Sequence, residues 1–203
     1  MELDIIFAII VLIMSVVVHE VSHGYAAYML GDSTAKMAGR LTLNPIKHLD
    51  PIGSFLVPLL TYTVGGLIFG WAKPVPYNPY NLKNQKWGDA IVAIAGPASN
   101  FAIAIIFGIL IRFAEPLGIA SEAFFAIATT AVLINVLLGV FNLIPIPPLD
   151  GSKILFSALP YHMRHVQEFM ERYWLVLVAF LLLFLWKLIL PVVFWLFRLI
   201  TGM

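Results

Sequence analysis

The sequence predicts an all-α polytopic membrane protein with about four transmembrane helices. Of its 203 residues, 61% are hydrophobic and only 11% are charged, whereas soluble domains average about 25% charged residues. Four apolar stretches reach the length of about 20 residues that a helix needs to cross a bilayer. They are residues 3–30, 89–111, 123–148 and 173–197.

A fifth apolar stretch, residues 51–72, is expected to enter the membrane without crossing it. Five residues that break helices interrupt it: Gly53, Pro58, Gly65, Gly66 and Gly70. Broken apolar segments are tolerated at membrane depth only where protein or a cavity satisfies the backbone. We therefore predict a re-entrant or membrane-surface hairpin there, for which β structure is one option.

The rest of the composition bounds the domain organisation and the chemistry. No linker or repeat divides the chain, so we expect one domain over residues 1–203, with a catalytic core at about 3–155 and a C-terminal membrane segment at about 173–200. The formal net charge of +1 gives no sign of nucleic-acid binding. Because cysteine is absent, any metal must be held by His, Asp or Glu.

The first apolar stretch carries the pattern His19-Glu20-Val21-Ser22-His23. Ionisable residues at the centre of a membrane helix cost about 2.5–3.5 kcal/mol each on insertion scales, so they indicate function. Residues i and i+4 of a helix lie on one face. Both imidazoles can therefore bind one tetrahedral metal while the glutamate approaches a water on that metal. The pattern predicts a metal-dependent hydrolase inside a membrane.

A catalytic zinc needs a third protein ligand and an open position for water, and Asp150 is the best candidate. It closes an apolar segment, Asn142 to Gly151, in which three prolines break the helix. An unwound end of this kind can direct a carboxylate into a cavity, and Gly151 permits the turn that follows. The other acidic residues lie in loops or at span ends, in ordinary polar surroundings: Asp4, Asp32, Asp50, Asp89, Glu115, Glu122, Glu168 and Glu171.

Three motifs in this order resemble the site-2 protease family of intramembrane zinc metalloproteases. They are the His19 to His23 pattern, the patch Gly96-Pro97-Ala98-Ser99-Asn100, and the segment from Asn142 to Gly151. Residues 41–45 and 70–76 resemble the compact prokaryotic branch, which lacks inserted peptide-binding (PDZ) or nucleotide-sensing (CBS) modules. The resemblance covers roughly residues 15–155.

The resemblance implies one Zn²⁺ per chain, bound by His19, His23 and Asp150, with Glu20 as the general base that activates a zinc-bound water. It also makes Asn142 a candidate for orienting substrate or stabilising the oxyanion, although a role in capping or bridging helices remains open. The implied function is an endopeptidase that cleaves transmembrane segments of membrane-protein substrates in regulated intramembrane proteolysis. The expected partners are such a substrate and the lipid bilayer, while the oligomeric state cannot be read.

The distribution of Lys and Arg predicts the orientation in the membrane. If residues 51–72 form a hairpin, nine basic residues fall on one side and two on the other; if they cross fully, the division is six against five. The cytoplasmic side carries the excess. We therefore expect a multi-pass protein of the cell membrane, with the N-terminus outside and the active site toward the cytosol. The nine are Lys36, Arg40, Lys47, Lys73, Lys83, Lys86, Lys153, Arg164 and Arg172, and the two are Arg112 and Arg198.

Two other functions would use the same residues. A zinc transporter or sensor would hold the metal through these ligands, but the spans carry almost no further acidic residues to relay a cation. A catalytically silent protein of the same fold would grip membrane helices without cleaving them. Glu20 is superfluous for binding alone, so its presence argues against both alternatives.

Other residues are expected to have structural roles. Asn100 and Asn135 are expected to bridge helices through hydrogen bonds. Gly96 is expected to let two helices approach closely. His162 and His165 lie in a polar stretch and are expected on a surface helix, in solvent or against lipid headgroups.

Overall fold

The computed structural model describes residues 2–50, 53, 63 and 72–203, with side chains from residue 5 onward. The hairpin predicted over 51–72 therefore lies outside the described residues, apart from positions 53, 63 and 72. The residues that flank it are adjacent, because the backbone N–H of Lys73 donates to the carbonyl of His48 at 2.9 Å.

The described secondary structure is helical. In chain order the α-helices are α1 (Glu2–Met29), α2 (Thr34–Met37), α3 (Gly88–Arg112), α4 (Glu122–Asn142), α5 (Asp150–Ala158), α6 (Arg164–Arg172), α7 (Trp174–Phe180) and α8 (Trp186–Thr201). Short 3-10 turns lie at Pro45–His48, Pro79–Asn81 and Tyr161–Met163, and the π-helical turn Leu181–Leu185 joins α7 to α8. No residue of the described ranges is in a β-strand.

Within the described residues, four helices are long and apolar enough to cross a membrane, which confirms the predicted fold class. They are Ile5–Met29, Gly88–Arg112, Glu122–Asn142 and Trp174–Thr201. The third ends earlier than the predicted residue 148, because the prolines that follow Asn142 cannot continue a helix. The chain turns through residues 143–149 before α5 begins.

The central element is α3, which packs against α1, α4, α5 and α8. Buried apolar side chains of α3, α4 and the last span form the main core: Ala104, Ile111, Ala128, Val132, Val136, Leu181, Ile189 and Val193. Small residues let membrane helices approach closely, and at Gly108 a side chain would collide with Ile200. Large apolar side chains on the outer faces, such as Ile9 and Phe184, are exposed, as expected of a lipid-facing surface.

Asp32 fixes the loops at one end of the bundle. It is fully buried, so the expectation of ordinary polar surroundings is wrong for this residue. Its carboxylate accepts hydrogen bonds from the N–H and hydroxyl of Thr34, the side-chain amide of Asn81 and the N–H of Asn78. These bonds fasten the chain leaving α1 to the loop that precedes α3.

Candidate metal centre

His19 and His23 lie on the inward face of α1. Only 6% of His19 and 8% of His23 are exposed, and the two rings meet edge to face. This face packs against α3 at Gly96, where an added Cβ would lie 2.5 Å from the Nε2 atoms of both histidines. The close helix approach expected at Gly96 is therefore found, and it leaves room for the two imidazoles.

Asp150 is brought to the same point by the turn that follows α4. Its Oδ2 lies 3.1 Å from the Nε2 of each histidine, and the two Nε2 atoms are 3.0 Å apart. Tetrahedral ligands about 2.0 Å from a zinc lie roughly 3.3 Å from one another. The triangle of Nε2, Nε2 and Oδ2 therefore has the dimensions of a metal site, and the three residues form a group that could hold a metal ion.

The hydrogen-bond partners of the two imidazole Nδ1 atoms also fit a cation at the Nε2 side. The Nδ1 of His23 donates to the carbonyl of Val92 at 2.7 Å, and the Nδ1 of His19 donates to the Oδ1 of Asn100 at 2.6 Å. A neutral imidazole that donates through Nδ1 carries a lone pair on Nε2. Two such lone pairs and a carboxylate oxygen thus converge on one buried point, an arrangement that a cation stabilises.

Gly151 has a different role from the one predicted. It lies in the first turn of α5 and not at a turn after Asp150, and its φ is not in the left-handed region. A Cβ at this position would collide with the backbone carbonyls of Leu143 and Ile144. Glycine therefore lets the start of α5 pack directly on the preceding turn, which places Asp150.

Glu20 is half-buried and is held by the loop that precedes α3. Its Oε2 accepts a hydrogen bond from the N–H of Val75 at 2.8 Å. Arg40 secures this loop, since its Nη2 donates to the carbonyl of Lys73 at 2.7 Å and to that of Pro74 at 3.4 Å. The carboxylate of Glu20 thus has one oxygen fixed by a backbone donor.

Asn142 is the last residue of α4. Its Nδ2 donates to the carbonyl of Leu138 at 3.0 Å, so the hydrogen bond that it makes in the described part of the chain lies within its own helix. His162 and His165, which have a predicted surface role, are exposed on the 3-10 turn before α6 and on α6.

A polar cleft of about 530 Å³ lies beside Asp150 and is lined in part by Tyr77, Asp89 and Lys153. The Nζ of Lys153 is 3.8 Å from the Oδ1 of Asp150, the oxygen that faces away from the histidines. Burial, together with the charge of Asp89 and the hydrogen bond to it, raises the pKa of Tyr77 well above its ordinary value of 10.0. The phenol therefore stays protonated at neutral pH and acts as a neutral donor.

Three polar contacts of the site residues were not predicted from the sequence: Asn100 with His19, Val75 with Glu20, and Lys153 with Asp150. A signal existed for the first, because Asn100 follows Gly96 by four residues and so lies on the same face of α3. No comparable pattern links Val75 to Glu20, which are 55 residues apart.

The chain belongs to peptidase family M50, whose sequence profile matches residues 7–131 and 111–185. This confirms the resemblance to site-2 proteases and identifies a zinc metalloendopeptidase, with Zn²⁺ as its cofactor. With four membrane-spanning helices among the residues that the structure describes, the protein is a multi-pass membrane protein. No solved structure matches it.

Named relatives are zinc metalloproteases of bacteria and archaea. "Putative zinc metalloprotease YwhC" of Bacillus subtilis is 40% identical over 183 residues, which cover 88% of this chain and 80% of the relative. "Putative zinc metalloprotease Rip2" of Mycolicibacterium smegmatis is 33% identical over 75% of this chain and 55% of the relative. "Zinc metalloprotease MJ0392" of Methanocaldococcus jannaschii is 30% identical over 74% of this chain and 33% of the relative.

Proposed function

We propose that this metalloprotease is an intramembrane endopeptidase that hydrolyses peptide bonds in transmembrane segments of other membrane proteins. His19, His23 and Asp150 are its zinc ligands, and Glu20 is its general base. The observation that carries the proposal is the buried triangle of ligand atoms, 3.0 to 3.1 Å on a side, between two helices long enough to span a membrane.

Zinc, when bound, polarises the scissile carbonyl and lowers the pKa of a water toward about 7. Glu20 takes a proton from the attacking water while the water oxygen bonds to the carbonyl carbon. The C–N bond then breaks, and Glu20 passes the proton to the leaving amine. Within the described part of the chain, the hydrogen bond from Val75 occupies Oε2 and leaves Oε1 of Glu20 for this transfer.

The substrate has to unwind before it can be cleaved, because a helix hides its carbonyls in internal hydrogen bonds. The segment 51–72 is proposed from the sequence alone as the place where the unwound strand is held, by addition to an exposed strand edge. The polar cleft beside Asp150 gives water and the newly formed polar chain ends a path that avoids lipid.

Asn142 is proposed as a residue that orients substrate or stabilises the oxyanion, with the helix-capping role still open. Its position at the end of α4, just before the turn that leads to Asp150, supports the first role. Its hydrogen bond to Leu138 within α4 supports the helix-capping role, and the Nδ2 has a further N–H for an oxyanion.

We propose a cell-membrane location, with the N-terminus outside and the active site toward the cytosol. Arg112 and the end of α8 lie together, because the Nε of Arg112 donates to the carbonyl of Ile200 at 2.8 Å. The cleft beside Asp150 includes Lys86 and Lys153 among its lining residues. By the positive-inside rule, these positions support a cytosolic side for the more basic end, which carries the metal centre.

The test is cleavage of a co-expressed transmembrane substrate by the wild type and by Glu20→Gln, with zinc measured in both purified proteins. The proposal predicts that the variant keeps its zinc and loses cleavage, because only the base is removed. Cleavage unchanged in the variant would exclude Glu20 as the base. A wild type that moves zinc into sealed vesicles without cleaving any substrate would favour the transporter alternative.

A further inference from the structure

A buried chain of amide side chains leads away from the metal centre through three membrane helices. Asn100 of α3 donates through Nδ2 to the Oδ1 of Asn135 of α4 at 2.9 Å. Asn135 donates through Nδ2 to the hydroxyl of Ser15 of α1 and to the carbonyl of Ala131, both at 2.9 Å. Both asparagines are fully buried, and Ser15 is 4% exposed. The predicted hydrogen bond between helices is confirmed for this pair.

The direction of the chain is set by backbone carbonyls, that of Ala131 for Asn135 and, at 3.5 Å, that of Ser15 for Asn100. The carbonyl of Ala131 can only accept a hydrogen bond, so Asn135 must turn its Nδ2 toward it and its Oδ1 toward Asn100. Asn100 must then turn its Nδ2 toward Asn135, which leaves its Oδ1 facing His19 at 2.6 Å. An acceptor at this place requires the proton of His19 to be on Nδ1, with the lone pair on Nε2.

We propose that Asn100, and Asn135 acting through it, are positioning residues that hold His19 in the tautomer and ring orientation that binds zinc. The inference rests on the proposed ligand role of His19. Partners of this kind orient metal-binding histidines and raise metal affinity. His23 needs no such side chain, since its Nδ1 donates to the fixed backbone carbonyl of Val92.

The hydrogen bonds of the two asparagines distinguish positioning from simple helix bridging. A bridge would require only that the two amides satisfy each other. Here Asn100 also bonds to His19, at 2.6 Å, and each amide has its orientation fixed. Removal of either amide should therefore change metal binding and not stability alone.

The experiment measures zinc affinity of the full-length protein in detergent, by competition with a chromophoric chelator. Asn100→Leu should weaken binding by about 10–100-fold, and Asn135→Leu should weaken it in the same direction. The double variant should bind no more weakly than Asn100→Leu, because Asn135 acts only through Asn100. Asn100→Asp keeps an acceptor for His19 and, with its other carboxyl oxygen protonated toward the Oδ1 of Asn135, should retain most of the affinity.

Ser15→Ala is the matched control. It removes a hydrogen bond from the same buried chain but leaves the path from Ala131 to His19 complete, so its zinc affinity should stay close to that of the wild type. Thermal unfolding of each metal-free variant shows whether it has folded.

Folded Asn100→Leu or Asn135→Leu with wild-type affinity would overturn the inference, and so would Asn100→Asp as weak as Asn100→Leu. If neither leucine variant folds, the comparison of Asn100→Asp with Ser15→Ala decides: strong binding by both supports positioning, and loss in the aspartate variant contradicts it. A wild type that binds no zinc would instead contradict the proposed function itself.

Discussion

The backbone N–H of Val75 donates a hydrogen bond to the carboxylate of Glu20 at 2.8 Å. Val75 stands between Pro74 and Pro76, which have no N–H to donate, so it is the sole backbone donor of this three-residue stretch. It is 5% exposed and packs over Gly24 of α1, where a Cβ would lie 2.8 Å from its Cγ1. The loop thus supplies one donor, directed at the proposed base.

Replacing Val75 with proline should impair catalysis without removing zinc. A residue before proline favours extended backbone, which proline also adopts, so the substitution deletes the N–H with little change of conformation. Loss of the hydrogen bond should leave Glu20 misplaced and lower the cleavage rate of a transmembrane substrate by about 10–100-fold.

Val75→Ala is the control, since it removes packing and keeps the N–H. It should cleave faster than Val75→Pro at equal zinc content. Equal rates in the two variants would show that the hydrogen bond to Glu20 does not matter for catalysis.

A methyl group at Gly96 should abolish metal binding. The Cβ of Gly96→Ala would lie 2.5 Å from both Nε2 atoms, the atoms that converge on the proposed metal position. Alanine is more favourable than glycine within a helix by about 1 kcal/mol, so the loss would not come from a weakened α3. Zinc content of purified Gly96→Ala measures the effect, with Ala98→Val on the exposed face of the same helix as control. Full zinc content in Gly96→Ala would contradict the geometry.

The buried carboxylate of Asp32 should stabilise the protein in a pH-dependent way. Burial alone would raise its pKa, but the hydrogen bonds from Thr34, Asn81 and Asn78 outweigh this and hold the pKa below its ordinary value of 3.8. A carboxyl whose pKa is lower in the folded than in the unfolded state stabilises the folded state at pH values above the unfolded-state pKa. This stabilisation is lost as the pH falls through the folded-state pKa.

Asp32→Asn should therefore lower the free energy of unfolding by about 1–3 kcal/mol at neutral pH. The new side-chain NH2 group would face a buried N–H or O–H donor in place of the carboxylate oxygen that accepted from it. The difference from the wild type should shrink as the pH falls below 3.8. Thermal unfolding in detergent over this range measures it, and a difference that grows toward low pH would contradict the assignment.

The absence of cysteine makes the orientation directly testable. Single cysteines at two exposed positions, Lys86→Cys before α3 and Glu115→Cys after it, lie at opposite ends of the same span. A thiol reagent that cannot cross membranes should label Glu115→Cys in intact cells and label Lys86→Cys only after lysis. The reverse pattern would place the metal centre on the outer side.

Features that depend on local patterns could be predicted from the sequence. Length and composition predict the four spans, helix periodicity brings His19 and His23 together, and a carboxylate after three prolines indicated Asp150. The contacts of Asp32 with Asn78 and of Glu20 with Val75 could not be predicted in this way. They join segments 46 and 55 residues apart through backbone donors, which every residue except proline carries and which therefore leave no signature in the sequence.

The most direct test of the central claim is the zinc content of the purified full-length protein, wild type beside Asp150→Ala. Ser152→Ala is the control, because it changes a buried neighbour on α5 whose hydroxyl, within the described part of the chain, bonds to Leu149. We expect about one zinc per chain in the wild type and the control, and marked loss in Asp150→Ala, since Asp150 supplies the third ligand. Full zinc content in Asp150→Ala, or none in metal-replete wild type, would contradict the proposed metal centre.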